Sequence, residues 1–184
     1  MIESLQTPAF RRVFSCLAAA VLCSAALSAE NWPQWRGPGS QGISRETQLP
    51  SVWTPEKNVA WKVEVPGRGH SAPVVWNDRV FLTTAIQGEE VPGARPVPHI
   101  DSGKPFLHPD SVGANRKHTY KVLAYDGKCG KLLWDRTAWE GTPFDDRHRR
   151  SSFASPWAAT HARLVYAYFG AEGVCAYDPR GKPP

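Results

Sequence analysis

His70 and His148 are the first residues whose chemistry stands out. Each lies a few residues ahead of a small-residue–proline pair, Ala72-Pro73 and Ser155-Pro156. An imidazole changes charge near neutral pH, so these rings are the first groups expected to meet a ligand held by either loop. Around the second histidine, "DDRHRR" sets Asp145 and Asp146 beside Arg147, Arg149 and Arg150. Guanidinium groups bind anions through paired donors, and the aspartates can present a carboxylate pair. The same run also reads as a solvated face whose opposite charges partly cancel.

A second set, His99, Asp101, His108, Asp110 and His118, invites a metal reading. Its spacings follow no helix or strand face and prolines interrupt it, so a solvated loop is expected and no metal site is assigned. No nucleophile elbow, phosphate-binding glycine loop or HExxH helix occurs, and no catalytic residue is assigned. Cys129 falls in a turn and Cys175 in a strand interior. A bridge needs Cα atoms within about 7 Å, which spacing does not establish, so both are expected to be unpaired.

The elements that position these groups begin after an export segment. Arg11 and Arg12 precede the uncharged run "VFSCLAAAVLCSAAL", and "SAENW" follows. That layout predicts a secretory signal peptide over 1–29, cleaved after Ala29, and hence a periplasmic or secreted protein. The arginine pair fits a Sec segment and, in part, a twin-arginine one. Neither Cys16 nor Cys23 follows a lipoprotein cleavage pattern. Removal of Glu3, Arg11 and Arg12 lowers the net charge of +5 by one. The remaining excess is too small for a nucleic-acid stripe, and no membrane span is expected after cleavage. The rest is ordinary globular composition, 41% hydrophobic and 21% charged, with eight tryptophans and 17 prolines. Turn formers with aromatics point to short strands and many corners.

Internal repetition organises those strands. "AYD" at Ala124-Tyr125-Asp126 returns at Ala176-Tyr177-Asp178, and "GK" follows at Gly130-Lys131 and Gly181-Lys182. Trp134 comes four residues after Gly130. The equivalent place after Gly181 lies beyond Pro184. "SAPVVWNDRVFLTTA" (71–85) matches "ASPWAATHARLVYAYFG" (154–170), and "VAWKVEV" (59–65) reads as the tryptophan strand of an earlier unit. Units of four short antiparallel strands cannot bury both faces alone, and radial stacking of such sheets gives a β-propeller. The expected fold is therefore all-β, a partial β-propeller over 30–184 preceded by a signal-peptide helix. One complete blade spans about Ser71 to Arg136, with parts of its neighbours on either side. A long Pro/Gly-rich loop without sustained period is expected at about 86–119. Propellers close with roughly four to eight blades, so the chain reads as a fragment or a truncated product.

Within the repeat each residue has a structural job. Asp126 and Asp178 are expected to cap their turns rather than act as acids. Gly130 and Gly181 supply a positive φ. Trp61 and Trp134 offer flat surfaces between sheets, and Ala124 and Ala176 admit close neighbours.

Residues 124–134 read A-x-D-x-x-C-G-K-x-x-W, which resembles the tryptophan-docking repeat A-x-D-x-x-T-G-x-x-x-W of propellers related to pyrroloquinoline quinone (PQQ) enzymes. "NWPQWRGP" (31–38) and "FGAEGVCAYD" (169–178) are similar to exported bacterial PQQ-like propeller proteins. Cys129 stands where the pattern has threonine. The resemblance implies a PQQ-like repeat protein, and three functions follow from it. One is a non-catalytic binding or scaffold module whose partner is a protein or the remaining blades. Another is part of a PQQ-dependent dehydrogenase oxidising an alcohol or sugar, with calcium as Lewis acid. The adjacent cysteines and the calcium-ligating set of that class are not found, and no cofactor is assigned from the sequence. The last is a truncated product without activity of its own. The first is the reading adopted.

Overall fold

The computed structural model describes residues 29–161 and 163–184, so the expected signal peptide and its helix lie outside the described residues apart from Ala29. Its strands are β1 (Val74–Trp76), β2 (Arg79–Glu90), β3 (His99–Asp101), β4 (Lys104–Phe106), β5 (Ser111–Val112), β6 (Arg116–Asp126), β7 (Leu132–Gly141), β8 (Arg147–His148), β9 (Ala159–His161), β10 (Leu164–Tyr168) and β11 (Val174–Tyr177). Among the described residues there is no α-helix, and no helix is long and apolar enough to cross a membrane. The chain is all-β, as the alternating pattern implies.

The first sheet is four-stranded and antiparallel, in the order β1-β2-β6-β7. Its register is set by alternation: Phe81 lies opposite Ala124, Thr83 opposite Val122 and Ala85 opposite Tyr120. These six side chains share one face and are all buried. A one-residue slip would turn every one of them to the other side, so the pattern fixes the pairing. Asn77 turns the chain between β1 and β2 with φ 53°, a left-handed conformation that asparagine tolerates.

The second sheet is three-stranded, β11-β10-β9. Val165, Ala167 and Phe169 join Phe81, Val122, Ala124 and Trp134 in one core, with Cys175 and Tyr177 packed against it. Full burial of a Val- or Phe-sized side chain is worth ~1.5–3 kcal/mol, so this shared layer holds the two sheets face to face. The segment after Glu30 ties both sheets at their leading strands. Trp32 exchanges two backbone hydrogen bonds with Val75 at 2.8 Å, and Thr160 N–H donates to Pro33 O at 2.8 Å. Trp35 stacks on Trp157 with centroids 4.9 Å apart.

Two expectations need correction. The segment Val59–Val65 is not a ladder strand. No strand lies beside it among the described residues, so its backbone has no partner, and Val59 and Val63 are exposed. The stretch 86–119 is more ordered than its composition suggests. β2 runs on to Glu90, β6 begins at Arg116, and Gln87 still pairs with His118. Within it β3 and β4 form a hairpin around Ser102 and Gly103, both at positive φ as a two-residue turn requires. β5 pairs with β8, which lies far along the chain. β7 likewise continues past Arg136 to Gly141.

Candidate functional site

The two ends of the first sheet do different work. At one end Asp126 caps its turn. Its Oδ1 accepts the N–H groups of Lys128 (2.9 Å) and Cys129 (3.0 Å) and the Cys129 thiol (3.3 Å). The thiol bond first, then the two amides, hold this carboxyl below its usual range. Gly130 follows with φ 70°, and a Cβ there would stand 2.7 Å from the Trp61 ring. The indole lies flat on the glycine because no side chain intervenes, and its Nε1–H donates to Gly127 O at 2.8 Å.

The second sheet repeats this arrangement. Asp178 Oδ1 accepts the amides of Arg180 (2.8 Å) and Lys182 (2.9 Å). The Lys182 amide leads in lowering its carboxyl. Gly181 has φ 81°, with a Cβ position 2.8 Å from Trp134, whose Nε1–H donates to Pro179 O at 2.9 Å. Gly127 and Pro179 each directly follow the capping aspartate, so both indoles use the same offset. Ala124 is buried opposite Trp134, while Ala176 in β11 is half-buried. In both aspartates Oδ1 is spent on the turn itself. A groove of about 730 Å³ lies between the turns, lined by Arg79, Arg163 and Arg180 and by Asp78, Asp126 and Asp178.

The opposite end carries the loops. Pairing of β5 with β8 brings Asp110 against His148, Nε2 to Oδ2 at 3.3 Å, and into an ion pair with Arg149. His99 reaches Asp145 at 3.1 Å, and Ala114 N–H donates to Asp146 Oδ1 at 2.7 Å. The His108 and His148 rings lie 5.9 Å apart. The two loops that look separate in the sequence are thus one surface, with its charges cross-paired. Arg147 is turned partly inward. Its guanidinium donates to Ser151 O at 3.1 Å and sits 5.7 Å from the Phe153 ring centroid. Burial, then the neighbouring Arg68 charge, push its pKa down. His70 is exposed and attached through its backbone, N–H to Ala154 O at 3.2 Å. The structure brings Arg147, His148 and Arg149 together but leaves His70 without a side-chain link to them among the described residues.

Beneath this surface is an aromatic layer that residue spacing does not disclose. Tyr120 is buried among Trp139 (4.9 Å), Phe169 (5.3 Å) and Phe153 (5.7 Å). Its hydroxyl has no hydrogen-bond partner among the described residues, and burial raises its pKa. His118, also buried, donates Nδ1–H to Arg116 O at 2.9 Å and meets Phe153 edge-on at 4.7 Å. Burial first, then the nearby Arg147 and Arg116 charges, lower the pKa of this imidazole. A shallow cavity of about 230 Å³ above the layer is lined by Asp146, Arg147, Ser152, Phe153, Phe169 and Glu172. Ser152 is hydrogen-bonded within its own turn rather than to a base, and Glu172 accepts Phe144 N–H at 3.0 Å. Hydrogen-bonding groups over an aromatic floor suit recognition of a polar surface.

No protein-family model matches the chain, and no curated protein matches it.

Proposed function

We propose that the two sheets are consecutive blades of an exported PQQ-like β-propeller that serves as a non-catalytic binding module. One observation carries this reading: Trp61 and Trp134 make the same dock at the same offset, ring on glycine and N–H on the carbonyl after the capping aspartate. An identical dock between successive units is what radial stacking of sheets requires. Two sheets do not close a ring, so a propeller takes further blades beside these two. Residues 11–29 support export to the periplasm or beyond. The joined loops at one end, with Arg147, His148 and Arg149, are the face assigned to a protein partner, since loops on a rigid scaffold commonly carry binding.

The test is titration of the folded protein with PQQ and calcium. The binding reading predicts no bound-quinone absorbance and no reduction of a redox dye by alcohols or sugars. A saturable, calcium-dependent quinone spectrum with dye reduction would replace it by the dehydrogenase reading. Fractionation of cells expressing the whole chain checks export: the processed protein is expected outside the cytoplasm.

A further inference from the structure

We infer that the groove between Trp139 and Phe144 receives an arginine side chain of the protein partner, with Glu172 as its counter-charge. The inference rests on the binding-module reading above and names the chemistry by which the partner is held. The groove, of about 410 Å³, is lined by Trp139, Thr142, Phe144, Ala171 and Glu172. Two aromatic side chains and one carboxylate meet there, with no basic residue in the lining. Ala171 and Glu172 also line the smaller cavity beside Arg147, so the groove continues the loop face assigned to the partner.

Glu172 supplies the charge. Its Oε1 accepts the Phe144 amide at 3.0 Å. Among the described residues Oε2 has no hydrogen-bond partner and the carboxylate makes no ion pair. The residue is half-buried, so solvent screens its charge less than on an open surface. Next to burial itself, that charge is what raises the pKa of Tyr120, so its field is felt inside the protein. Arg147, across the smaller cavity, is engaged otherwise: burial, then Arg68 and Asp146, move its pKa. A half-buried carboxylate with a spare oxygen favours a cation that donates a hydrogen bond to it.

The aromatic walls are set before any partner arrives. Trp139 lies against Gly141, where a Cβ would stand 2.8 Å from the ring, and its centroid is 4.9 Å from that of Tyr120. Phe144 is held by its backbone: beside the amide bond to Glu172, its carbonyl accepts Val97 N–H at 3.5 Å. The residue itself is 62% exposed, an aromatic face turned to the outside of the loop surface. Walls already in place lower the ordering cost of binding. A guanidinium uses both features at once, because it stacks on aromatic faces and donates to a carboxylate from a planar fork. An ammonium is a strongly hydrated point charge and gains less from the rings.

The test titrates the purified, nitrogen-15-labelled chain with N-acetyl-arginine methylamide, using the neutral isostere N-acetyl-citrulline methylamide as control. The arginine probe is expected to shift the Trp139 indole and Phe144 amide signals saturably, and to bind roughly tenfold tighter than the citrulline probe. Glu172→Gln keeps an oxygen for the Phe144 amide, so distant signals should stay in place while arginine affinity falls roughly tenfold. Phe144→Ala, at an exposed position, is expected to lower it about two- to fivefold through the lost cation–π contact. No saturation by the arginine probe, equal affinity for citrulline, or binding unmoved by Glu172→Gln would overturn the inference. The quinone titration above separates that failure from failure of the binding-module reading. A silent titration then leaves the module standing without this pocket, and a bound-quinone spectrum removes the module as well.

Discussion

Substituting Gly181 by alanine tests the second indole dock quantitatively. The glycine has φ 81°, which costs an alanine ~1–2 kcal/mol whatever the surrounding space. Its new Cβ would also stand 2.8 Å from Trp134 Cδ2 and 2.9 Å from Cγ, inside van der Waals contact. The ring must lift, which weakens its 2.9 Å bond to Pro179 O, worth ~0.5–1.5 kcal/mol. Lifting also loosens its packing on Phe81 and Tyr177, worth ~0.5–1.5 kcal/mol. Gly181→Ala is therefore expected to lose ~2–5 kcal/mol in total. Trp134→Ala, emptying a nearly buried site, is expected to lose ~3–5 kcal/mol. With the ring already gone, the glycine substitution should cost only its backbone strain, so the double-mutant cycle should show coupling of ~1–3 kcal/mol. Gly170, at φ 67° with open space around its Cβ position, is the matched control and should lose the φ term alone. Urea unfolding followed by far-ultraviolet circular dichroism reads the parent and the four variants. Additivity within ~0.5 kcal/mol would refute the seating of Trp134 on Gly181.

Three further outcomes follow from the same geometry. Burial lowers the His118 pKa in the folded protein, so the unfolded chain binds more proton as the medium turns acid; stability should fall as pH drops below the ordinary imidazole value of 6.5, and His118→Gln should remove that part of the slope in unfolding midpoints. Asp126 has the opposite chemistry: its lowered carboxyl stabilises the fold above the ordinary 3.8 and ceases to do so as pH falls through the folded value, so Asp126→Ala should destabilise at neutral pH and match the parent in strong acid. Exposed Cys129 should react with a thiol reagent in the native protein, whereas half-buried Cys175, its thiol raised by burial, should react fully only on unfolding; equal native rates would contradict the packing of β11.

What could be read in the sequence was local or repeated. Alternation in 79–85 and 118–126 marks strands because one face must be buried, and the recurrence of "AYD" aligns two units before any coordinates. The structure sets Trp61 and Trp134 on the two repeated turns, where the motif alone could only nominate them. What stayed hidden depends on distance in sequence. β5 and β8 are too short for a period to emerge, and their pairing joins Asp110 to His148 across an intervening strand pair. Tyr120, Phe153 and Phe169 come from three separate segments, and only the stacking of the two sheets makes them neighbours. Val59–Val65 misled for the opposite reason: its residues are right for a strand, but pairing needs a neighbour that residue types cannot supply.

The central claim is that one tryptophan dock recurs on the two repeated turns, and indole proton exchange measures it directly. In the nitrogen-15 spectrum, the Nε1–H signals of Trp61 and Trp134, assigned through their phenylalanine variants, should exchange slowly with water. Those of Trp35 and Trp53, 47% and 61% exposed, should exchange fast. Protection at both docked tryptophans is the predicted result. Exchange at either one as fast as at Trp53 would contradict the account.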